Sequence, residues 1–195
     1  MIKEGQFSTE FARAHGPKWE KWIGHLRNKP ACGIELGTWM GESAEWALDH
    51  IFTHDRSCYV CVDTFEGSEE HYLAGIDCST IEADARKRLS RFHNVAINKG
   101  YSSDILRMLK SSGFGPVDFV YVDAAHDAMN VLRDAVLAFD MLKVGGIMVF
   151  DDYEWKVYPD EIDRPKLAVD SFISCYARSL EIIGLGWQVA VVKTA

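Results

Sequence analysis

The sequence lacks a net positive charge and any long apolar run. Its 195 residues include 21 Lys and Arg against 29 Asp and Glu, which gives a formal net charge of −8. This surplus of acids repels nucleic-acid phosphates and anionic lipids. No run approaches the ~18 apolar residues of a membrane span, and the first residues lack a basic stretch followed by an apolar one. We therefore expect a cytoplasmic protein that binds small molecules, with neither nucleic acid nor membrane as a partner.

Cysteine is sparse, with five scattered residues. An odd number without regular spacing is more typical of reduced thiols than of a disulfide framework. Cys58 and Cys61 lie close in sequence but within an apolar run that indicates a strand. Side chains three apart on a strand point to opposite faces, so this pair cannot share one metal ion.

The chain also lacks internal repeats and low-complexity tracts, and its length is typical of one domain. We predict a single domain over residues 31–195, preceded by an N-terminal helical cap over residues 1–30. Apolar residues in the cap recur at near-helical spacing: Phe11, Trp19, Trp22, Ile23 and Leu26. The cap covers either the sheet or a partner subunit, so a homodimer remains an open alternative.

Strand and helix patterns alternate along the rest of the chain. Apolar runs predict strands over 31–36, 58–62, 95–98, 118–122 and 146–150, and helical patterns fill 42–52, 80–92, 103–109 and 128–142. After a helix over 168–177, the runs 180–183 and 187–192 are separated by a Gly-Leu-Gly turn. This order predicts an α/β, Rossmann-like, doubly wound fold. Its seven-stranded sheet is mostly parallel and ends in an antiparallel hairpin.

The turn after the first strand has two glycines and an acid. Gly37 and Gly41 are four residues apart, and Glu35 comes two residues before Gly37. A carboxylate here repels a dinucleotide pyrophosphate, which disfavours an NAD oxidoreductase, but it suits the sulfonium and ammonium of S-adenosylmethionine. Asp63 ends the second strand, where an acid can accept hydrogen bonds from ribose hydroxyls. The alternative is that Glu35 is a surface residue and Asp63 a helix cap.

With these motifs, the sequence resembles the class I S-adenosylmethionine-dependent methyltransferases from residue 34 to residue 193. The resemblance implies that Glu35 and the glycine turn hold the methionine end of the cofactor and that Asp63 holds the ribose. The turn over residues 98–104 then borders the adenine, although Ser102 and Ser103 are equally suited to cap the helix that follows. The implied cofactor-binding residues are Glu35, Gly37, Thr38, Gly41, Ser43, Asp63, Thr64, Ser102, Ser103 and Asp123.

Three carboxylates follow the fourth and fifth strands. Asp123 ends one strand, and Asp151 and Asp152 end the other. Neighbouring parallel strands bring these acids together, and a hard divalent cation such as Mg²⁺ relieves their repulsion. We therefore predict metal ligation by all three. The alternative is that the acids cap helices.

This pattern resembles the metal-dependent O-methyltransferases of the catechol and macrolide-sugar types. His126 stands where those enzymes have a general base, a lysine in the catechol type and a histidine in the sugar type. The resemblance implies that Mg²⁺ lowers the pKa of a substrate hydroxyl, His126 removes its proton and Asp123 helps to hold the substrate. The sequence departs from both types at Asp151 and Asp152, where they have Asp-Asn or Glu-Asp. Alternatively, His126 is an exposed residue of the next helix.

Two segments, 64–79 and 154–164, are glycine-rich or aromatic and follow strand ends. Loops at that edge should select the small-molecule methyl acceptor, and their aromatic side chains either line its pocket or simply pack the loops on the domain. The aromatic residues concerned are Phe65, Tyr72, Trp155 and Tyr158. Besides a metal-assisted O-methyltransferase, the sequence leaves open a metal-independent methyltransferase and a non-catalytic S-adenosylmethionine-binding module.

Overall fold

The computed structural model describes residues 11–68, 71–72, 75–156 and 158–195, and it contains one seven-stranded sheet. Its strands are β1 (Cys32–Leu36), β2 (Cys58–Asp63), β3 (Val95–Lys99), β4 (Val117–Val122), β5 (Leu142–Phe150), β6 (Leu180–Gly184) and β7 (Val189–Lys193). They lie in the order β3-β2-β1-β4-β5-β7-β6. The first five are parallel, and β7 is antiparallel to both β5 and β6. The predicted fold class is confirmed.

Six helices of eight or more residues accompany the sheet in the described ranges: α1 (Gly16–Ile23), α2 (Glu42–His50), α3 (Ile81–Leu89), α4 (Ser102–Ser111), α5 (Ala128–Met141) and α6 (Pro165–Cys175). Short 3-10 turns cover Gly24–Leu26 and Glu161–Asp163. Asp127 caps α5 by accepting a hydrogen bond from the backbone N–H of Asn130. None of the helices in the described ranges is long and apolar enough to cross a membrane.

Because strand side chains alternate, the sheet has two apolar faces. Ile34 and Val120 face one core, which also contains Phe139 of α5. Phe119 faces the other, where the fully buried Trp19 of α1 packs against it with ring centroids 5.1 Å apart. Residues of the predicted N-terminal cap therefore belong to the core of the sheet, whereas the domain division at residue 30 remains a prediction.

The expectation that the cysteines are all reduced thiols was wrong. Cys32 and Cys58 occupy paired positions on the neighbouring strands β1 and β2, and their sulfurs form a disulfide. Spacing along the chain gave no sign of this pairing, because it arises from the register between two strands. Cys61 is buried on the face that carries Tyr59, away from the disulfide, so the prediction that Cys58 and Cys61 point to opposite faces is confirmed.

Candidate active site at the carboxyl edge of the sheet

The predicted site residues meet where the strand order reverses, between β1 and β4. The ladder continues one residue beyond each strand: the N–H of Gly37 donates to Val62 O (2.8 Å) and the N–H of Asp123 to Leu36 O (2.8 Å). The N–H of Asp151 likewise donates to the carbonyl of Val122, at 3.0 Å. In doubly wound sheets this switch point opens a crevice that binds ligands.

Gly37 cannot be replaced by another residue without rearrangement of this crevice. Its φ is +87°, and a Cβ there would overlap the carbonyl oxygen of Asp123. Both the left-handed backbone and the close approach to β4 therefore require glycine. Gly41 has φ +81° and caps α2. The two glycines thus shape the turn that the sequence predicted to hold the cofactor.

Asp63 accepts hydrogen bonds from the backbone of two different turns at the opening of the crevice. Its Oδ2 accepts from the N–H of Trp39 and its Oδ1 from the N–H of Phe65, each at 2.6 Å. Both donors have left-handed backbones, with φ +47° at Trp39 and +57° at Phe65. Each carboxylate oxygen has a further lone pair, so these bonds leave capacity for ligand hydroxyls.

Two adjoining cavities open at this edge. The smaller, of about 240 Å³, is lined by Gly37, Trp39, Asp63, Thr64, Gly67, Ser68, His71, Asp123, Ala124, His126 and Asp152. The larger, of about 530 Å³, shares Gly37, Asp63, Thr64, Gly67 and Ala124 with it and extends to Ser102 and Ser103. The structure therefore brings most of the predicted cofactor-binding residues to one continuous crevice.

Three of those residues lie beneath the crevice instead. Glu35 is fully buried, and Thr38 and Ser43 are also buried. The hydroxyl of Tyr59 donates to Glu35 Oε2 at 3.0 Å, and Glu35 Oε1 has no partner among the described residues. Burial raises the pKa of Glu35 to about 8, although the hydrogen bond from Tyr59 lowers it. Contact of Glu35 with a cofactor remains a prediction.

Asp123, His126 and Asp152 form the one acidic cluster with metal-ligand geometry in the described part of the chain. Their candidate ligand atoms all lie within 4.8 Å of one another. His126 Nε2 is 2.9 Å from Asp152 Oδ2 and 3.8 Å from Asp123 Oδ1. Burial lowers the pKa of His126, but the two carboxylates outweigh this effect and raise the pKa to about 11. For Asp123, burial raises the pKa to about 8, although the contact with His126 lowers it.

Asp151 is absent from this cluster, which differs from the predicted set of three carboxylates. Its Oδ2 accepts hydrogen bonds from the Tyr121 hydroxyl and from Gln188 Nε2, the latter at 2.8 Å, and its Oδ1 accepts from the N–H of Asp152. Asp152, with a left-handed φ of +54°, lines the smaller cavity and belongs to the cluster, whereas Asp151 is held by Tyr121 and Gln188. His126 takes the place in the cluster that we predicted for Asp151.

Sequence reasoning missed three residues around the crevice. His71 lines the smaller cavity and stacks on Trp39, with ring centroids 4.1 Å apart. Gln188 is buried and holds Asp151. Asp134 is buried on α5 and accepts from Ser102. Only Asp134 left a signal in the sequence, because it interrupts an otherwise apolar helix face.

The two predicted cover segments place their aromatic residues differently. Trp155 lies beside the cluster, 5.1 Å from the ring of His126, and borders a third cavity of about 450 Å³. Phe65 packs in a buried cluster against Ile81 of α3, and Tyr72 is exposed. Glu69 and Glu70, also in the first segment, lie outside the described residues. Packing therefore accounts for Phe65, whereas Trp155 remains a candidate to line the acceptor pocket.

The comparisons with known proteins agree with this geometry. A family model described as a methyltransferase domain matches residues 34–153. The chain is 31% identical over 125 residues to the uncharacterized protein R132 of Acanthamoeba polyphaga mimivirus, which covers 55% of the chain and 56% of that protein. The chain thus spans about half the length of the curated relative that it matches.

Solved structures with the same fold include several methyltransferases. The O-methyltransferase TomG from Streptomyces achromogenes, solved with S-adenosylmethionine, matches with a TM-score of 0.68 and 19% identity over 100% of this chain and 92% of its own. MycE from the mycinamycin biosynthetic pathway, solved with Mg, S-adenosylhomocysteine and mycinamycin VI, matches with 0.64 and 18% over 92% of this chain and 49% of its own. An O-methyltransferase from Bacillus cereus gives 0.61 and 18% over 99% and 83%.

The model match covers well over half of the chain, including the glycine turn, Asp63 and the acidic cluster. The fold matches are methyltransferases solved with S-adenosylmethionine or its demethylated product. The predicted resemblance is confirmed, and the chain belongs to the methyltransferase domain family, with the class I S-adenosylmethionine-dependent fold.

Proposed function

We propose that the chain transfers a methyl group from S-adenosylmethionine to a hydroxyl of a small molecule, with a divalent cation at the cluster of Asp123, His126 and Asp152. One observation carries this proposal: the three groups converge within 4.8 Å at the wall of the cavity that Gly37 and Asp63 also line. Methyl donor and activated hydroxyl are thus assigned to one space, as an in-line transfer requires.

The cofactor is assigned to the two adjoining cavities. The acidic wall of the smaller cavity suits a sulfonium and an ammonium, because Asp63 and Asp123 both border it. The larger cavity reaches Ser102 and Ser103, and we assign the adenosine to it. Their shared wall at Gly37 allows the backbone to approach the cofactor closely.

The donor set fits a divalent cation. Asp123 and Asp152 supply the carboxylates that Mg²⁺ prefers, and His126 is left as the base and not as a ligand. Burial raises the pKa of Asp123, and a cation beside it would favour the ionised carboxylate. When bound, a cation held by Asp123 and Asp152 supplies Lewis-acid stabilisation of the acceptor oxygen.

His126 has the position and chemistry of the base. Without a cation, its proton is held by two carboxylates, which explains its high pKa. With a cation held by Asp123 and Asp152, His126 would lose that stabilisation, and its Nε2 would be the atom to accept the hydroxyl proton. In the cation-free structure this same Nε2 contacts Asp152 Oδ2 at 2.9 Å, so it would accept a proton only once Asp152 is engaged by a cation.

The direct test measures transfer of a labelled methyl group to a panel of phenols, catechols and sugars, with Mg²⁺ or with a chelator. We expect transfer to need the cation and to be lost in His126→Ala, while that variant still binds S-adenosylhomocysteine. His93→Ala is the matched control, because His93 is exposed on the surface. Transfer that is indifferent to both the chelator and His126→Ala would refute the roles of metal and base.

A second candidate is a metal-independent methyltransferase. One observation favours it: His126 contacts Asp152 directly and lies near Asp123, so an imidazolium already compensates the two carboxylates. This candidate predicts a methyl-transfer rate that is the same with chelator and with Mg²⁺, and that is still lost in His126→Ala.

A further inference from the structure

A buried carboxylate outside the acidic cluster accepts a hydrogen bond from Ser102, which lines the larger cavity. Asp134 of α5 is only 1% exposed, although it occupies the helix face that packs on the core. Both of its carboxylate oxygens lie 2.7 Å from Ser102 Oγ. An apolar residue would fill this position at a lower desolvation cost, and the hydrogen bond from Ser102 is what compensates the buried carboxylate.

The hydrogen bond to Asp134 determines whether the Ser102 hydroxyl donates or accepts a hydrogen bond towards a ligand. A serine hydroxyl has one proton and two lone pairs, and an ionised carboxylate only accepts. The proton of Ser102 is therefore directed to Asp134. Since Ser102 also lines the larger cavity, it presents only lone pairs to a ligand there.

Asp134 is ionised at neutral pH, as this arrangement requires. Burial raises its pKa to about 6, and the hydrogen bond from Ser102 lowers it. Among the charged groups that face it, Arg133 and Arg107 also lower the pKa, whereas Asp127 raises it. Below about pH 6 the carboxyl becomes protonated, and Ser102 is then free to donate its proton elsewhere.

We propose that Asp134 is a positioning residue that fixes the Ser102 hydroxyl as a hydrogen-bond acceptor, so that the larger cavity selects a purine with a 6-amino group over one with a 6-oxo group. The amino group donates to Ser102, whereas a carbonyl there would place two acceptors against each other. The inference rests on the proposed cofactor, and it adds a residue that sets base specificity.

The experiment is a calorimetric titration at pH 7.5 of S-adenosylhomocysteine and of its deaminated analogue, S-inosylhomocysteine. We expect the protein to prefer the amino form by about tenfold or more, since a site built to accept a hydrogen bond rejects an analogue that lacks the donor. In Asp134→Asn, the amide can donate to Ser102 and release the serine proton towards the ligand. The preference should then fall several-fold, as it should in Ser102→Ala.

Asp140→Asn is the matched control, because it makes the same change on an exposed residue of the same helix. It should leave the preference unchanged. Between pH 7.5 and pH 5, the preference should fall in the unmodified protein but not in Asp134→Asn. A loss of fold alone would weaken both ligands equally, and Ser102→Ala keeps the test valid if Asp134→Asn does not fold.

Equal binding of the two ligands by the unmodified protein, or an unchanged preference in both variants, would overturn this role of Asp134 and leave the proposed function intact. Failure to bind S-adenosylhomocysteine at all would contradict the cofactor assignment, and this inference with it.

Discussion

Gln188 donates a 2.8 Å hydrogen bond to Asp151, and this contact connects the N-terminal helix to the edge of the active site. Gln188 Oε1 also accepts from Trp19 Nε1 at 3.1 Å, and Asp151 accepts from the backbone N–H of Asp152. The chain of contacts runs from α1 through Gln188, directly before β7, to the turn that carries Asp152. Residues before the first strand therefore help to hold the acidic cluster.

Replacing Gln188 should lower the free energy of unfolding, because its hydrogen bonds to Trp19 and Asp151 are lost. In Gln188→Leu, the buried Trp19 N–H is left without its partner, at a cost of about 1–3 kcal/mol, and Asp151 loses one of its hydrogen bonds. Denaturant unfolding measures the loss. Trp19→Phe removes the donor from the other side, so the double variant should lose less stability than the sum of the two single variants. Additive losses would show that the contacts are not coupled.

Gly37→Ala should abolish cofactor binding and destabilise the fold. The new Cβ overlaps the carbonyl of Asp123, so β1 and β4 must move apart at the crevice. Gly113→Ala separates this clash from backbone strain, because Gly113 has φ +80° but nothing within 4 Å of its added Cβ. We expect about 1 kcal/mol of destabilisation for the control and clearly more for Gly37→Ala. Equal effects in denaturant unfolding would contradict the close approach of the two strands.

The buried Glu35 should make the cofactor-free protein less stable as the pH rises. Its pKa in the folded state, about 8, lies above the ordinary value of 4.5 for a glutamate. Between these values the folded state retains a proton that the unfolded state releases, so stability falls from about pH 4.5 to pH 8. Glu35→Gln lacks this loss and should be more stable than the unmodified protein by several kcal/mol at pH 9. Glu181→Gln, on the exposed edge strand, is the control. Parallel stability curves for Glu35→Gln and the unmodified protein would contradict the burial of this carboxyl.

The protonation of His126 should report on the cation. Without metal, its pKa of about 11 predicts an imidazolium that persists well above pH 8, visible in the ¹⁵N shifts of the ring. Asp152→Asn removes the carboxylate 2.9 Å away and should lower this pKa. Added Mg²⁺ should also lower the pKa of His126, because a dication beside Asp123 and Asp152 repels the positive charge of the imidazolium. A pKa that does not respond to Mg²⁺ would favour the metal-independent candidate.

The order of the elements was readable from the sequence, because hydrophobic periodicity depends on local residues. Details set by contacts between strands were not. The Cys32–Cys58 disulfide depends on the register of β1 and β2, and the first residue of β5, Leu142, looked like the last residue of a helix.

Part of the candidate site could also be predicted from the sequence, because some of its residues follow from the order of the strands. Gly37 and Asp63 follow strand ends, so their meeting at one edge follows from the topology alone. The place of Asp151 outside the cluster could not be foreseen, because Asp151 is held by Gln188, which lies 37 residues away in sequence. Asp134 and Ser102 are likewise 32 residues apart and meet only in the fold.

The central claim is that the crevice at Gly37 and Asp63 binds S-adenosylmethionine. Calorimetric titration of the cofactor into the purified protein tests it most directly. We expect saturable binding at one site per chain, strongly weakened in Asp63→Asn and unchanged in Asp77→Asn, which alters an exposed acid. Absence of binding by the unmodified protein, or equal binding by Asp63→Asn, would contradict the account.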